Sequence, residues 1–248
     1  MSDNKSSTKG SYFYDLRYYE TDYWSLIPTA HLLRLAMHAM MQQTDAESLS
    51  VERIHGELGF FWMMARARFY QSAPIYSERK LEVRVSGRSI DRGTYVRGID
   101  FYSEGEPVAR CELASIAVNA VERRILRPQV VEDMWQHPEA PQNTLQVPRL
   151  NIKGELDTIR KYAVSYRDCD YNGHFNSSNY IDLVSELGGF YEGEPKIMEY
   201  LQIDYNSEAL PGRTLVLLGR TRENSGVIRG EHESGAVCFC SEYRMENI

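Results

Sequence analysis

Residues 14–23 (YDLRYYETDY) lie over residues 162–171 (YAVSYRDCDY) at an offset of 148 without a gap, pairing Tyr14 with Tyr162, Tyr18 with Tyr166, Asp22 with Asp170 and Tyr23 with Tyr171. The same offset pairs Leu33 with Ile181 and Leu35 with Leu183, and sets Glu20 opposite Asp168. A chain that repeats itself at this distance is two copies of one module, so its fold must be a module that can sit beside its own duplicate. At 248 residues each copy has roughly the length of one small domain.

Each copy opens with a strand and then an amphipathic helix, predicted over residues 28–42 and 178–191. Beyond the helix both copies are β-rich. In the first copy Leu81, Val83 and Val85 alternate with Glu82 and Arg84, and 95–101 and 111–118 form two further strand-like runs. The second copy predicts strands over 201–207, 214–218, 227–233 and 236–243, punctuated by Pro211-Gly212, Asn224-Ser225-Gly226 and Glu233-Ser234-Gly235. Pro138, Pro141 and Pro148 bracket an unpatterned stretch between the copies. The organisation is therefore a disordered start at 1–10, a first module at 11–137, a linker at 138–158 and a second module at 159–248. The fold class is α+β. Each antiparallel sheet wraps the apolar face of its own helix, and joining the two sheets edge to edge would remove part of the exposed-edge liability.

With 28 Lys and Arg against 35 Asp and Glu, the formal charge of −7 argues against a general nucleic-acid binder. No uncharged run approaches the roughly 18 residues a spanning helix needs; the apolar block 58–65 stops at Arg66. Residues 1–10 carry an acid and no apolar signal region, which reads as a cytosolic start. The four cysteines, at 111, 169, 238 and 240, are expected as reduced core thiols; on a strand Cys238 and Cys240 share one face, with no second pair or histidine to complete a metal site.

The polar stretch 168–179 precedes an apolar helix and carries the chemistry. As D-x-D-x-N-G it begins like a calcium loop, but the twelfth position is Asn179 rather than a bidentate Glu, and a strand precedes it. Alternatively, a strand-to-helix turn presents Asp170, Asn172 and His174 on one side of an extended backbone, with Asn176 or the following serines capping the helix. That set could polarise a carbonyl and handle a proton, and a capped turn with surface His and Asp fits the same residues.

In this stretch the sequence resembles the acyl-acyl-carrier-protein (acyl-ACP) thioesterases, which are double hotdog proteins. The D-x-N-x-H-x-N signature stands as Asp170-Tyr-Asn172-Gly-His174-Phe-Asn176, and 59–68, 84–88, Ala114-Ser115 and Arg123-Arg124 are similar to the family's first hotdog. The resemblance covers roughly residues 11–245 and implies a hydrolase that releases free fatty acid from acyl-ACP in a bacterial cytoplasm, with no metal or cofactor. It implies that Asp170 holds the Asn172 carboxamide, that Asn172 and helix-start amides orient the thioester carbonyl, and that His174 works with Glu208 on the attacking water. Many relatives carry cysteine after that acid; here Ala209 stands there, which favours water. Cys169, next to Asp170, is expected to face away from the reacting groups.

The first copy keeps Asp22 but has Trp24 and Leu26 where Asn172 and His174 stand, which makes it the acyl-binding copy. Met37, Met41, Met63 and Trp62 are expected to line its tunnel, since thioethers and aromatic rings adapt to alkyl chains. Eight basic residues against three acids between 66 and 97 suggest a docking patch for the acidic carrier, with Arg66, Arg68, Arg88 and Arg92 its core. An acyl-CoA thioesterase on the same site and a non-catalytic carrier-binding module are the alternatives, and whether two chains pair is left open.

Overall fold

The structure is a computed structural model and describes residues 10–47, 50–135 and 144–248. Residues 1–9 of the disordered start expected at 1–10 and residues 138–143 of the expected linker lie outside the described residues, while Gly10 is ordered, its carbonyl accepting from Val85 N–H at 2.7 Å. The first half supplies β1 (Ser11–Asp15), β2 (Phe60–Gln71), β3 (Lys80–Asp91), β4 (Thr94–Ser103) and β5 (Glu106–Asn119). The second supplies β6 (Asp157–Ala163), β7 (Lys196–Tyr205), β8 (Thr214–Arg222), β9 (Ser225–His232) and β10 (Val237–Asn247). Together they form one sheet of ten strands in the order β1-β3-β4-β5-β2-β7-β10-β9-β8-β6, and its named pairings are antiparallel. From the centre outwards both halves read identically, as the repeat requires. The seam pairs β2 with β7, setting Arg66 opposite Asp204, Ala67 opposite Ile203 and Phe69 opposite Leu201.

The helices α1 (Thr29–Ala46) and α3 (Ser177–Leu187) lie on one face of this sheet. On α1 the buried positions Leu32, Leu33, Ala36, Ala39 and Gln43 follow the helical period, and on α3 Tyr180, Ile181, Leu183 and Val184 do the same. They meet Leu81, Val83, Ile99, Phe101, Cys111 and Leu113 of the first sheet half and Leu201, Ile203, Leu215, Leu217 and Phe239 of the second in one continuous core. Where the two helices touch, Arg34 Nη2 is 3.1 Å from Asp182 Oδ2 and Arg34 Nε donates to Ser178 Oγ at 2.9 Å. The offset of 148 maps Arg34 onto Asp182, so the duplicated position has diverged into opposite charges where unchanged copies would place like charges together.

Several expectations need correction. Helix α1 runs four residues beyond 42, whereas α3 ends at Leu187 because Gly188 and Gly189, the latter at φ +73°, close it. Strand β2 and a short helix α2 (Pro128–Trp135) are additional to the elements expected from the sequence. The block 58–65 lacks alternation because β2 carries apolar side chains on both faces, Phe60, Trp62 and Met64 on the helix side and Phe61 and Met63 on the other. Residues 144–150 form a strap rather than a free linker: the N–H groups of Thr144 and Leu145 donate to Ser89 Oγ, Pro148 O accepts from Gln202 Nε2 and Leu150 N–H donates to Asp204 Oδ2. A bulge between Val237 and Phe239 breaks the alternation, so Cys238 joins the helix-side core while Cys240 lies near Asp204 and Arg229; the two thiols do not share a face.

Phe69 and Leu201 are fully buried at the seam beneath both helices. Phe69→Ala is expected to lower stability by about 3–5 kcal/mol, in a single transition shared by both modules. Urea unfolding followed by fluorescence and circular dichroism checks it: two separated transitions would mean that the seam does not couple the modules.

Candidate active site

The turn between β6 and α3 is built by carboxylates that bond to backbone. After a single 3₁₀ turn (Tyr166–Asp168), Asp168 Oδ2 accepts from Ser165 N, Ser165 Oγ and Tyr162 Oη at 2.8, 2.7 and 3.1 Å. Asp170 Oδ1 then accepts from the N–H groups of Asn172 at 2.9 Å and His174 at 3.3 Å. Gly173 sits at φ +78°, where a side chain would strain the turn. The chain closes with Asp170 N–H donating to His174 O at 2.8 Å. Asn176 caps α3, its Oδ1 accepting from Ser178 N at 3.0 Å and Ser178 Oγ at 2.8 Å.

This differs from an extended strand with alternating side chains. Asp170 does not bond to the Asn172 carboxamide; it holds the backbone loop that carries both Asn172 and His174. The Asn172 side chain is exposed and makes no hydrogen bond among the described residues, so its amide is free to meet a ligand. His174 Nε2 lies 3.1 Å from Glu208 Oε2. Glu208 follows β7, and the next residue, Ala209, is buried and accepts from Phe175 N–H at 2.9 Å, which ties the acid's segment to the histidine's turn. Sequence reasoning thus named four residues, Asp170, Asn172, His174 and Glu208, that the fold brings into one turn and its neighbour.

The first module preserves the turn without its reacting groups. Asp22 Oδ1 accepts from Trp24 N at 2.9 Å and Leu26 N at 3.0 Å, Asp22 N–H donates to Leu26 O at 2.8 Å, and Ser25 takes Gly173's place at φ +63°. Trp24 Nε1 donates to Phe190 O at 2.9 Å, and Leu26 is buried. Both replacements therefore plug the site. A second His–Glu contact, His31 Nε2 to Glu20 Oε1 at 3.5 Å, is no copy of the first: Glu20 also accepts from Arg17 N, burial pushes the His31 pKa down, and position 31 corresponds to Asn179.

Of the expected tunnel residues, Trp62 lines a cavity with Met40, Thr44, Arg88, Tyr95, Arg97 and Ser115. Met37 lies between this cavity and the turn, its Sδ 3.7 Å from Ser177 Oγ. Met41 is 48% exposed, and Met63 points to the opposite face of β2 from Trp62 and Met64, so neither lines the cavity. Met40, one turn along α1 from Met37, supplies the thioether there instead.

The expected docking patch is corrected. Arg66 is buried and donates to Thr94 Oγ1; Arg88 is buried and grips Glu132 at 2.6 and 3.0 Å; Arg68 pairs with Glu112. Arg97 is held by Glu47 at 2.6 Å, which leaves Arg92, on the β3–β4 turn, as the exposed member of the four. Cys169 bonds weakly to Ser165 O, and burial, with Asp168 and Asp170 nearby, pushes its thiol pKa up, against a thiolate nucleophile.

Two five-stranded sheets, each wrapped on one helix and fused at their edges, make a double hotdog fold, with a His–Glu pair beside a helix N-terminus in one of them. Residues 153–238 match the family model of the acyl-ACP thioesterase C-terminal domain. The solved acyl-ACP thioesterase of Bacteroides thetaiotaomicron superposes at a TM-score of 0.81 with 16% identity, over 96% of this chain and 97% of that one. The 12:0-ACP thioesterase of Umbellularia californica gives 0.79 with 14% identity, over 96% and 97%. At these identities the likeness is one of fold. No curated protein matches the chain by sequence. Among the described residues no helix is long and apolar enough to cross a membrane.

The paired turns make their own test. Gly173→Ala is expected to cost about 1–2 kcal/mol, whereas Ser25→Gly relieves the same backbone strain and stabilises by up to about 1 kcal/mol. Chemical denaturation of both variants checks it; equal and negligible effects would mean that neither turn is strained.

Proposed function

We propose that the chain hydrolyses fatty acyl-ACP thioesters to free fatty acid and carrier protein, as a step of fatty acid biosynthesis. The observation that carries this reading is the 3.1 Å contact between His174 and Glu208, beside an unpartnered Asn172 carboxamide. The thioester carbonyl is polarised by the Asn172 amide together with a free N–H at the start of α3, since the first N–H groups of a helix have no intrahelical partner. Water attacks the carbonyl carbon as Nδ1 of His174 takes its proton, while Nε2–H of the same ring donates to Glu208, which stabilises the resulting imidazolium. Collapse of the tetrahedral intermediate expels the carrier's thiolate, which takes the proton back from His174. General-base help of this kind contributes roughly 10² to 10⁴ in rate, with carbonyl polarisation of similar size.

The acyl chain runs past Met37 and Met40 into the first module's cavity at Trp62. Two features support that path: the cavity lies on the helix side of the first sheet, and the equivalent turn in that module is plugged by Trp24 and Leu26. For the acidic carrier, the accessible cations nearest the catalytic turn are Lys161 and Arg167 of an open groove that Tyr166 also lines, together with Arg160 paired to Glu186 at 2.7 Å. The groove stands beside the reacting groups, in contrast to the largely paired arginines of the first module.

A panel of acyl-ACP thioesters and matching CoA thioesters, with released acid quantified, tests the substrate. Turnover on ACP thioesters above that on CoA thioesters is expected; equal turnover on both would sink the carrier assignment, and none on either would sink hydrolysis. His174→Ala and Glu208→Gln should each lower kcat by at least about 100-fold, and the double variant should cost little more than the worse single. Additive losses would mean separate roles. Met40→Trp, which fills the cavity, should shift the product profile toward shorter acids by about 1–3 kcal/mol per excluded methylene at most; an unchanged profile would place the chain elsewhere.

A further inference from the structure

The segment 206–209 that carries Glu208 is held by its backbone in the same way as its counterpart in the first module. Asn206 N–H donates to Cys238 O at 2.8 Å, and Ala209 O accepts from Phe175 N–H at 2.9 Å. In the first module Ser72 N–H donates to Val108 O at 2.9 Å, and Ile75 O accepts from Ile27 N–H at 2.8 Å. Since Ile27 and Phe175 are equivalent at the offset of 148, Ala209 answers to Ile75, Glu208 to Pro74 and Ser207 to Ala73. The backbone bonds alone therefore suffice to form the loop.

The second module adds something the first lacks. Ser207 Oγ lies 2.8 Å from Nε2 of His232 and 3.0 Å from Val237 O, and the His232 N–H is itself anchored to Ala236 O at 2.9 Å. A hydroxyl has one proton, and here it goes to the Val237 carbonyl, which can only accept. The serine lone pair must then accept from His232, so the imidazole carries its proton on Nε2. That polarity excludes His232 as a base for Ser207, because a base must receive the hydroxyl proton. What remains is a brace from the β9–β10 hairpin to the residue before Glu208.

We propose that His232 and Ser207 are positioning residues that hold Glu208 against His174. The Glu208 side chain is 38% exposed, so without a fixed backbone its carboxylate would have open solvent to turn into. The module with no carboxylate to aim has Ala73 in place of the serine and Pro74 in place of the acid, and the hydroxyl next to them, Ser72, bonds to Val108 O rather than to a histidine. This rests on the proposed catalytic role of His174 and Glu208, and its test has one arm that does not depend on turnover.

His232→Leu and Ser207→Ala are expected to lower kcat about tenfold with KM unchanged. His232→Gln, whose side-chain amide can still donate to the serine, should recover most of it. In a Glu208→Gln background His232→Leu should have no further effect on kcat, because there is no carboxylate left to aim. Independently of turnover, the imidazole ¹⁵N resonances of His174 should move in His232→Leu toward their positions in Glu208→Gln. Full kcat in a folded His232→Leu protein, an equal further loss in the Glu208→Gln background, or unmoved His174 resonances would each overturn the brace. If Glu208→Gln keeps its activity while His232→Leu still moves the His174 resonances, the catalytic reading fails and the brace stands.

Discussion

The antiparallel pairing of β2 with β7 is the constraint on which the rest of the protein depends. A five-stranded sheet wrapped on one helix leaves two edges, and an exposed edge is a template for unwanted pairing. Fusing the two central edges places β1 and β6 as the outer strands and sets α1 and α3 side by side on one face. The apolar residues of both modules then share one core, so neither half is independent of the other. The same fusion brings Met37 of the first module to the start of α3, where the turn that carries His174 ends. Under the proposed function, chemistry on one copy and binding space on the other follow from that placement.

Duplication followed by divergence explains which features are shared and which are not. Asp22 and Asp170 bond to the same two N–H groups of the same turn, so the carboxylate is first of all a structural device. What differs is what the turn displays. One copy displays an exposed amide and a half-buried imidazole; the other ties a half-buried indole to Phe190 O and buries an isobutyl group. The ion pair of Arg34 with Asp182 is the same history at the helix contact, where duplicated positions meet and have acquired opposite charge.

The turn, the two helices and the β8–β9 hairpin at Asn224-Ser225-Gly226 are legible in the sequence because their signals are local, whereas Pro211-Gly212, expected as a hairpin turn, joins β7 to β8, which do not pair. Capping residues, positive-φ glycines and alternating side chains act within a few positions. Strand β2 is not, because a central strand with apolar residues on both faces has no alternation to read. The arginines mislead for a related reason: Arg88 finds Glu132 and Arg97 finds Glu47 only once the sheet has folded, so a count of charges along the chain overstates the free cations. The roles of the site residues are partly legible. The signature names Asp170, but only the fold shows that its partners are backbone N–H groups rather than the Asn172 amide. Ser207 and His232 carry no local pattern at all; they meet through a hairpin.

The central claim is that water, deprotonated by His174 with Glu208 as its partner, attacks the thioester directly. A single turnover of an acyl-ACP thioester in H₂¹⁸O, followed by mass spectrometry of both the released acid and the peptide bearing Glu208, tests it most directly. The account predicts one ¹⁸O in the acid and none in the Glu208 carboxylate. Label in Glu208, unlabelled acid from the first turnover, or no release of acid would contradict it.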